Sequence, residues 1–81
     1  MIVYTKHAEN KLRRKDIKAF KITRRRISQI LRNVEGETHT KYGEYAVIRP
    51  LNEHHVIRVV YDIIGKDYKV ITFHVARKGR Y

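Results

Sequence analysis

The second half of the chain concentrates the side chains able to do chemistry: Glu44, Arg58, His74, Arg77, Lys78, Arg80 and Tyr81. They join one carboxylate, one imidazole and one phenol to several cations. An imidazole exchanges protons near neutrality, and a guanidinium offers its planar fork to a pair of phosphoryl oxygens. A tyrosine can stack on a base or orient a phosphate. Such groups suit the breaking of a phosphodiester by its own 2′-hydroxyl. One group removes the hydroxyl proton, cations stabilise the charge around phosphorus, and another group protonates the leaving 5′-oxygen. None of these steps requires a metal or an organic cofactor, and none is expected.

Other chemistries find little support. The chain has no cysteine, which excludes thiolate zinc sites, cysteine nucleophiles and disulfides. His54 and His55 are adjacent, and neighbours on a strand point to opposite faces, so they do not form a metal pair. His7 and His39 lack carboxylate or histidine partners at helix or strand spacing, so the expected metal ligands are none. Glycine-rich phosphate loops and carboxylate pairs are absent. A histidine on a strand is more often structural than catalytic. Arg58 stands out because it interrupts the most apolar run, Val56-Ile57-Arg58-Val59-Val60, where it must face either solvent or a site.

The elements that position these groups follow from the apolar pattern. Ile2 to Tyr4 reads as a short strand, and Thr5 caps a helix of about residues 6 to 15 whose inward positions include Ala8 and Leu12. Residues 16 to 22 read as a basic connector anchored by Ile17 and Phe20, and Thr23 caps a second helix over about 24 to 33. Ile27, Ile30, Leu31 and Val34 form its apolar stripe, and Gly36 ends the helical region. Strands follow at 42 to 48, 55 to 63 and 68 to 76, with a short edge strand within 37 to 41. The expected fold is a single α+β domain over residues 1 to 81. Two N-terminal helices pack on a mostly antiparallel sheet of four or five strands, in the order βααβββ with one further strand possible.

Register decides which groups meet. With Gly65-Lys66-Asp67 as a turn, Ile64 faces Tyr68, and the apolar residues of the last two strands match: Ile57 with Val75, Val59 with Phe73, Tyr61 with Ile71. On the other face Arg58 lies beside His74. A cation so close disfavours the imidazolium, so His74 should titrate below its ordinary value, while Glu44 or a bound phosphate would raise it. With Leu51-Asn52-Glu53 as the preceding turn, Ala46 opposes Arg58, and Glu44 shares the face of Arg58 and His74.

Charge points to the partner. Of 81 residues, 19 are Lys or Arg and 8 are Asp or Glu, a net charge of +11 that draws polyanions from a distance. Most of the excess lies in the helical half, where Lys11, Arg13, Arg14, Lys15, Lys18, Lys21, Arg24, Arg25 and Arg26, with Arg80 at the far end, are expected to contact phosphates. Arg24-Arg25-Arg26 occupies a first helical turn, where the dipole disfavours cations, so something beyond helix propensity favours it. The apolar content is too dispersed for a membrane span, and the N-terminus does not read as a signal peptide, so a cytoplasmic protein without membrane contact is expected.

Thr5-Lys6-His7-Ala8, the helix end at Ile27 to Asn33, Val56-Ile57-Arg58-Val59-Val60-Tyr61 and the terminal Val70 to Tyr81 run together resemble the RelE/ParE toxin superfamily. The likeness is greatest to its small branch near BrnT and a related family that opens with a His-Ala helix. It covers nearly the whole chain, in order as well as composition. The resemblance implies a toxin that cleaves messenger RNA, often at the ribosome, and is masked by a cognate antitoxin. It implies metal-free attack by the 2′-hydroxyl, with Arg58 on the phosphate and His74 and residues 77 to 81 as the C-terminal catalytic set. Ribosome-directed members often carry a closely spaced lysine or glutamate pair before the central strand, whereas Lys41 and Glu44 lack that spacing. ParE-like members share the fold yet inhibit gyrase, so a non-catalytic toxin or a plain RNA-binding domain is the alternative.

Overall fold

A computed structural model describes residues 1–33 and 44–79, and residues 38–39 by their backbone. It is an α+β fold: β1 (Ile2–Tyr4), α1 (Lys6–Leu12), α2 (Lys15–Ala19), α3 (Arg24–Arg32), β2 (Thr38–His39), β3 (Tyr45–Pro50), β4 (His55–Ile64) and β5 (Asp67–Arg77). The strands form one mixed sheet in the order β1-β5-β4-β3-β2, in which β1 runs parallel to β5 and the other pairings are antiparallel. No described helix is long and apolar enough to cross a membrane. The ends of the strands expected at 37 to 41 and 42 to 48, along with Val34 and Gly36, lie outside the described residues.

Thr5 and Thr23 cap their helices as expected. The Thr5 hydroxyl accepts from the Ala8 N–H at 3.1 Å and donates to the Ile71 carbonyl at 2.8 Å, so one side chain starts α1 and ties it to β5. Thr23 accepts from the Arg26 N–H at 3.2 Å.

The first helix does not reach residue 15. It stops at Leu12, Arg14 turns extended, and the presumed connector folds into α2. Helical geometry gives the reason. Ile17 is nine residues past Ala8, which at ~100° per residue would turn it half a revolution away from the Ala8 face. Breaking the helix lets Ala8 and Ile17 both reach the core, where both are buried. Lys21 closes α2 with φ of 58°, a left-handed turn after which Ile22 enters the core.

Ile27 and Leu31 of α3 are buried against a sheet face carrying Val47, Ile57, Val59, Tyr61, Val70 and Phe73. Tyr61 stacks on Tyr45 and meets Tyr68 edge-on, each with ring centroids 5.6 Å apart.

Both register expectations need correction. Ile57 pairs with Val75, Arg58 with His74, Val59 with Phe73 and Val60 with Thr72, as the apolar match requires. Beyond Val60 the pairing shifts: Tyr61 faces Val70 instead of Ile71, and Ile64 faces Asp67 instead of Tyr68. A bulge at Ile71 absorbs the difference, which permits a two-residue Gly65-Lys66 turn. Gly65 has φ of 60°, and Lys66 does not share it, the pattern of a II′ hairpin turn.

Between β3 and β4, Ile48 and not Ala46 opposes Arg58. The connection is four residues long because the Asn52 Oδ1 accepts from the N–H groups of both His54 and His55, each at 2.9 Å, building a wider turn than Leu51-Asn52-Glu53. The displacement is two residues, so every side chain keeps its expected face.

Candidate active site

β1 ends opposite Val70, and from there to Arg77 no described strand pairs with β5 on that side. α1 and α2 lie there instead. Between them and β5 opens a cleft of about 450 Å³. Lys11 and Arg14 line it from the α1 side, Phe20 from the end of α2, and His55, His74 and Arg77 from the sheet.

On its wall the Lys11 ammonium lies 3.0 Å from Nδ1 of His74. An ammonium can only donate, so Nδ1 accepts and the neutral ring carries its proton on Nε2. Lys11 also sits 5.5 Å from the centre of the Phe73 ring. His74 is held below its ordinary pKa by partial burial, then by Lys11, Arg58 and His7. The expected direction is therefore found, with Arg58 a lesser cause than burial and Lys11. Lys11 is itself lowered, first by burial and then by Arg14, with Asp16 opposing. The imidazole is thus neutral among cations that a phosphate would satisfy.

The other cleft histidine has the opposite arrangement. Nδ1 of His55 lies 3.1 Å from Oδ1 of Asn52, an oxygen identified by the two backbone N–H groups it already accepts. Nδ1 therefore carries the proton and Nε2 the lone pair. The ring meets Phe20 edge-on at 4.9 Å between centroids, and across the strands His55 pairs with Arg77.

The expected site is assembled in part. Arg58 is half-buried and directly cross-strand from His74, within about 5 Å at Cβ. Arg77 lines the cleft, and Lys78, just past it, donates its N–H to the His54 carbonyl at 2.9 Å. Glu44 keeps the expected face but not the expected neighbourhood. It lies four residues before Ile48, the partner of Arg58, or about 13 Å along the strand. Arg80 and Tyr81 lie outside the described residues.

The helical cations divide in two. Lys11 belongs to the cleft. Arg14 holds Asp16 through two hydrogen bonds, at 3.1 and 2.8 Å. Arg24 pairs with Glu9 at 2.9 Å and lies 4.9 Å over the Tyr4 ring, and Arg26 reaches the Leu51 carbonyl at 3.4 Å. These contacts explain two of the three arginines in an electrostatically costly first turn. Arg13, Lys15, Lys18, Lys21 and Arg25 are exposed, and their side chains make no hydrogen bond or ion pair with the described residues.

Sequence reasoning placed Lys11 among the phosphate contacts and passed over Phe20 and His55 as site residues. Lys11 carried no signal, since only the docking of α1 against β5 brings it to His74. His55 did carry one: Asn52, three residues earlier, is suited to a side-chain-capped turn. Among the described residues no three His, Asp or Glu side chains gather to hold a metal. The chain matches no protein-family model, no curated protein and no solved structure.

Proposed function

We propose that this chain is a RelE-like toxin, a metal-independent endoribonuclease that cleaves messenger RNA in the cytoplasm, at the ribosome or free, and is masked by a cognate antitoxin. The observation that carries the catalytic part is the Lys11–His74 contact in a cation-lined cleft, with Arg58 directly across the strand pair. A neutral imidazole, an ammonium and guanidinium groups around one concave surface are what 2′-hydroxyl attack on a phosphodiester uses. The toxin and antitoxin part rests on the resemblance of Thr5 to Ala8, Val56 to Tyr61 and the C-terminal run. A β-strand, a helical segment and further strands in that order are compatible with a RelE-like arrangement, α2 being an addition to it.

The test is incubation of purified protein with RNA in EDTA, with and without ribosomes. Cleavage leaving 2′,3′-cyclic phosphate ends is the expected result. No cleavage in either setting, at concentrations where RNA is bound, removes the enzyme reading. The exposed cations Arg13, Lys15, Lys18, Lys21 and Arg25 favour a second reading, a non-catalytic toxin or RNA-binding domain. Growth arrest that survives Arg58→Ala with His74→Gln, but is lost with those cations, would establish it.

A further inference from the structure

Lys11 is placed unlike the other amines of the helical layer. Lys15, Lys18 and Lys21 are exposed, whereas Lys11 is half-buried on the cleft wall, 3.0 Å from Nδ1 of His74 and 5.5 Å from the centre of the Phe73 ring. Partial burial and then the neighbouring Arg14 hold its pKa below the ordinary lysine range, with Asp16 opposing. A lysine partly withdrawn from water beside a second cation is in the setting of a nucleophilic amine, because both conditions free the nitrogen lone pair. His74, itself held neutral, is a proton acceptor already in contact with it. We propose that Lys11 is an amine nucleophile that forms a Schiff base with the C1′ aldehyde of an abasic nucleotide, and that Nδ1 of His74 takes the proton whose removal breaks the strand by β-elimination.

The cleft selects the electrophile. Lys11, Arg14 and Arg77 line it with positive charge, which draws phosphate, while Ile17, Phe20 and Val75 supply an apolar wall. Its volume of about 450 Å³ is in the range of small-ligand sites. An intact nucleic acid offers an amine no aldehyde. A sugar that has lost its base does, because its ring opens to a free carbonyl at C1′. The substrate class is therefore a strand carrying an abasic site. The activity goes beyond the endoribonuclease reading and does not depend on it, since a deoxyribose without a 2′-hydroxyl suffices.

Each proton and bond is accounted for. The Lys11 ammonium gives one proton to Nδ1 of His74, and the freed lone pair of Nζ bonds to C1′. The aldehyde oxygen leaves as water, carrying that proton and a second one from Nζ, and an iminium remains. C2′ is two bonds from Nζ, so Nδ1, 3.0 Å from Nζ, is within reach of its hydrogen. Nδ1 takes the C2′ proton and the C–H electron pair moves into the sugar chain. A double bond forms between C2′ and C3′ as the C3′–O bond breaks, and the phosphate departs with that bond's electrons. Water then hydrolyses the conjugated iminium, which restores the Lys11 ammonium and releases an unsaturated aldehyde. His74 returns its proton to solvent. Nothing is oxidised or reduced.

The test is incubation of the full chain at pH 7 in EDTA with a labelled single-stranded oligodeoxynucleotide carrying one abasic site. Borohydride, which reduces the iminium to a stable amine, should trap one covalent adduct that mass spectrometry maps to Lys11. Without borohydride the strand should break at the abasic site. Lys11→Arg should lose both adduct and scission. His74→Gln should still be trapped and should break the strand about 100-fold more slowly, the usual loss on removing a positioned proton acceptor. Mapping of the wild-type adduct decides the matter even where Lys11→Arg fails to fold. An adduct spread over Lys15, Lys18, Lys21 or the Met1 amine, equal trapping of Lys11→Arg, or no adduct at all overturns the inference. Trapping at Lys11 without scission overturns the elimination. A chain that cleaves no RNA and is trapped at Lys11 removes the endoribonuclease reading and supports this one.

Discussion

Two basic regions of the molecule have similar composition and opposite character. Around the cleft, Lys11 and Arg14 are engaged with His74 and Asp16, and Arg58 is half-buried between two strands. On the outer surface of the helical layer, Arg13, Lys15, Lys18, Lys21 and Arg25 stand in solvent. Coulomb's law separates the two. A charge in water acts through a high dielectric and a screening length of about 8 Å at physiological salt, whereas a partly buried charge is screened much less. The exposed set can attract and hold a polyanion. The cleft set also shifts a neighbouring pKa, that of His74, a difference that the charge count of the sequence cannot reveal.

The largest expected effect sharpens that division. Arg58→Ala should lower the cleavage rate on the order of 100-fold to 1000-fold, the usual cost of losing a donor to developing charge, and should weaken RNA binding as well. Substituting the five exposed cations with Gln should leave the maximal rate at saturating RNA within a few-fold of wild type. Single-turnover kinetics separates the two quantities. An equal loss of rate in both sets would erase the distinction between them.

Much of this arrangement was legible in the sequence, and the parts that were not share a cause. Thr5 and Thr23 identified two helix starts, and the alternation of Ile57, Val59, Phe73 and Val75 fixed the register that brings Arg58 to His74. Local side-chain chemistry and strand periodicity are short-range signals. The bulge at Ile71 was illegible because one extra residue looks the same as a longer turn until the Thr5–Ile71 hydrogen bond is known. The Lys11–His74 contact spans 63 residues and depends on where α1 stops, which Ile17 decides by its need for the core. Glu44 was misplaced along its strand for a related reason: a two-residue error preserves the face and changes the neighbour.

The next effect tests the exposed set. For single-stranded RNA each phosphate contact contributes about 0.7 to the slope of log affinity against log salt, so removing five contacts should flatten it by up to about 3.5. Arg24→Gln should leave the slope unchanged, because Glu9 and Tyr4 already hold that side chain. It should instead lower the melting temperature by a few degrees, as loss of about 0.5–1 kcal/mol does in a domain of this size. An unchanged slope in the fivefold variant would relegate those cations to solubility.

The cleft set is tested by titrating His74 by NMR. Its pKa should lie below the ordinary value, and Lys11→Met should bring it back further than Arg58→Met, and that further than His7→Gln. The sign for stability follows. In the window between the lowered folded value and the ordinary unfolded value, the unfolded chain binds the proton more readily, so stability rises with pH and falls as the solution is acidified. A pKa at or above the ordinary value would mean that a negative partner, not Lys11, dominates the ring.

The smallest effect concerns Lys21, where the two demands on an exposed cation meet. Its φ of 58° is the left-handed conformation that closes α2, and a side chain with a Cβ pays for it with roughly 1 kcal/mol. Glycine meets no such penalty, although it loses more freedom on folding. Lys21→Gly should therefore stabilise the fold by about 0.5 kcal/mol while removing one phosphate contact. Lys21→Gln separates the two contributions, since it loses the charge and keeps the strain. If the exposed set exists to hold RNA, both variants should weaken binding equally and only the glycine should raise the melting temperature. If RNA binding is unchanged in both while the glycine is more stable, Lys21 contributes nothing to the interface and its strain has no return there, which would move the boundary of the exposed binding set back to Arg13, Lys15, Lys18 and Arg25.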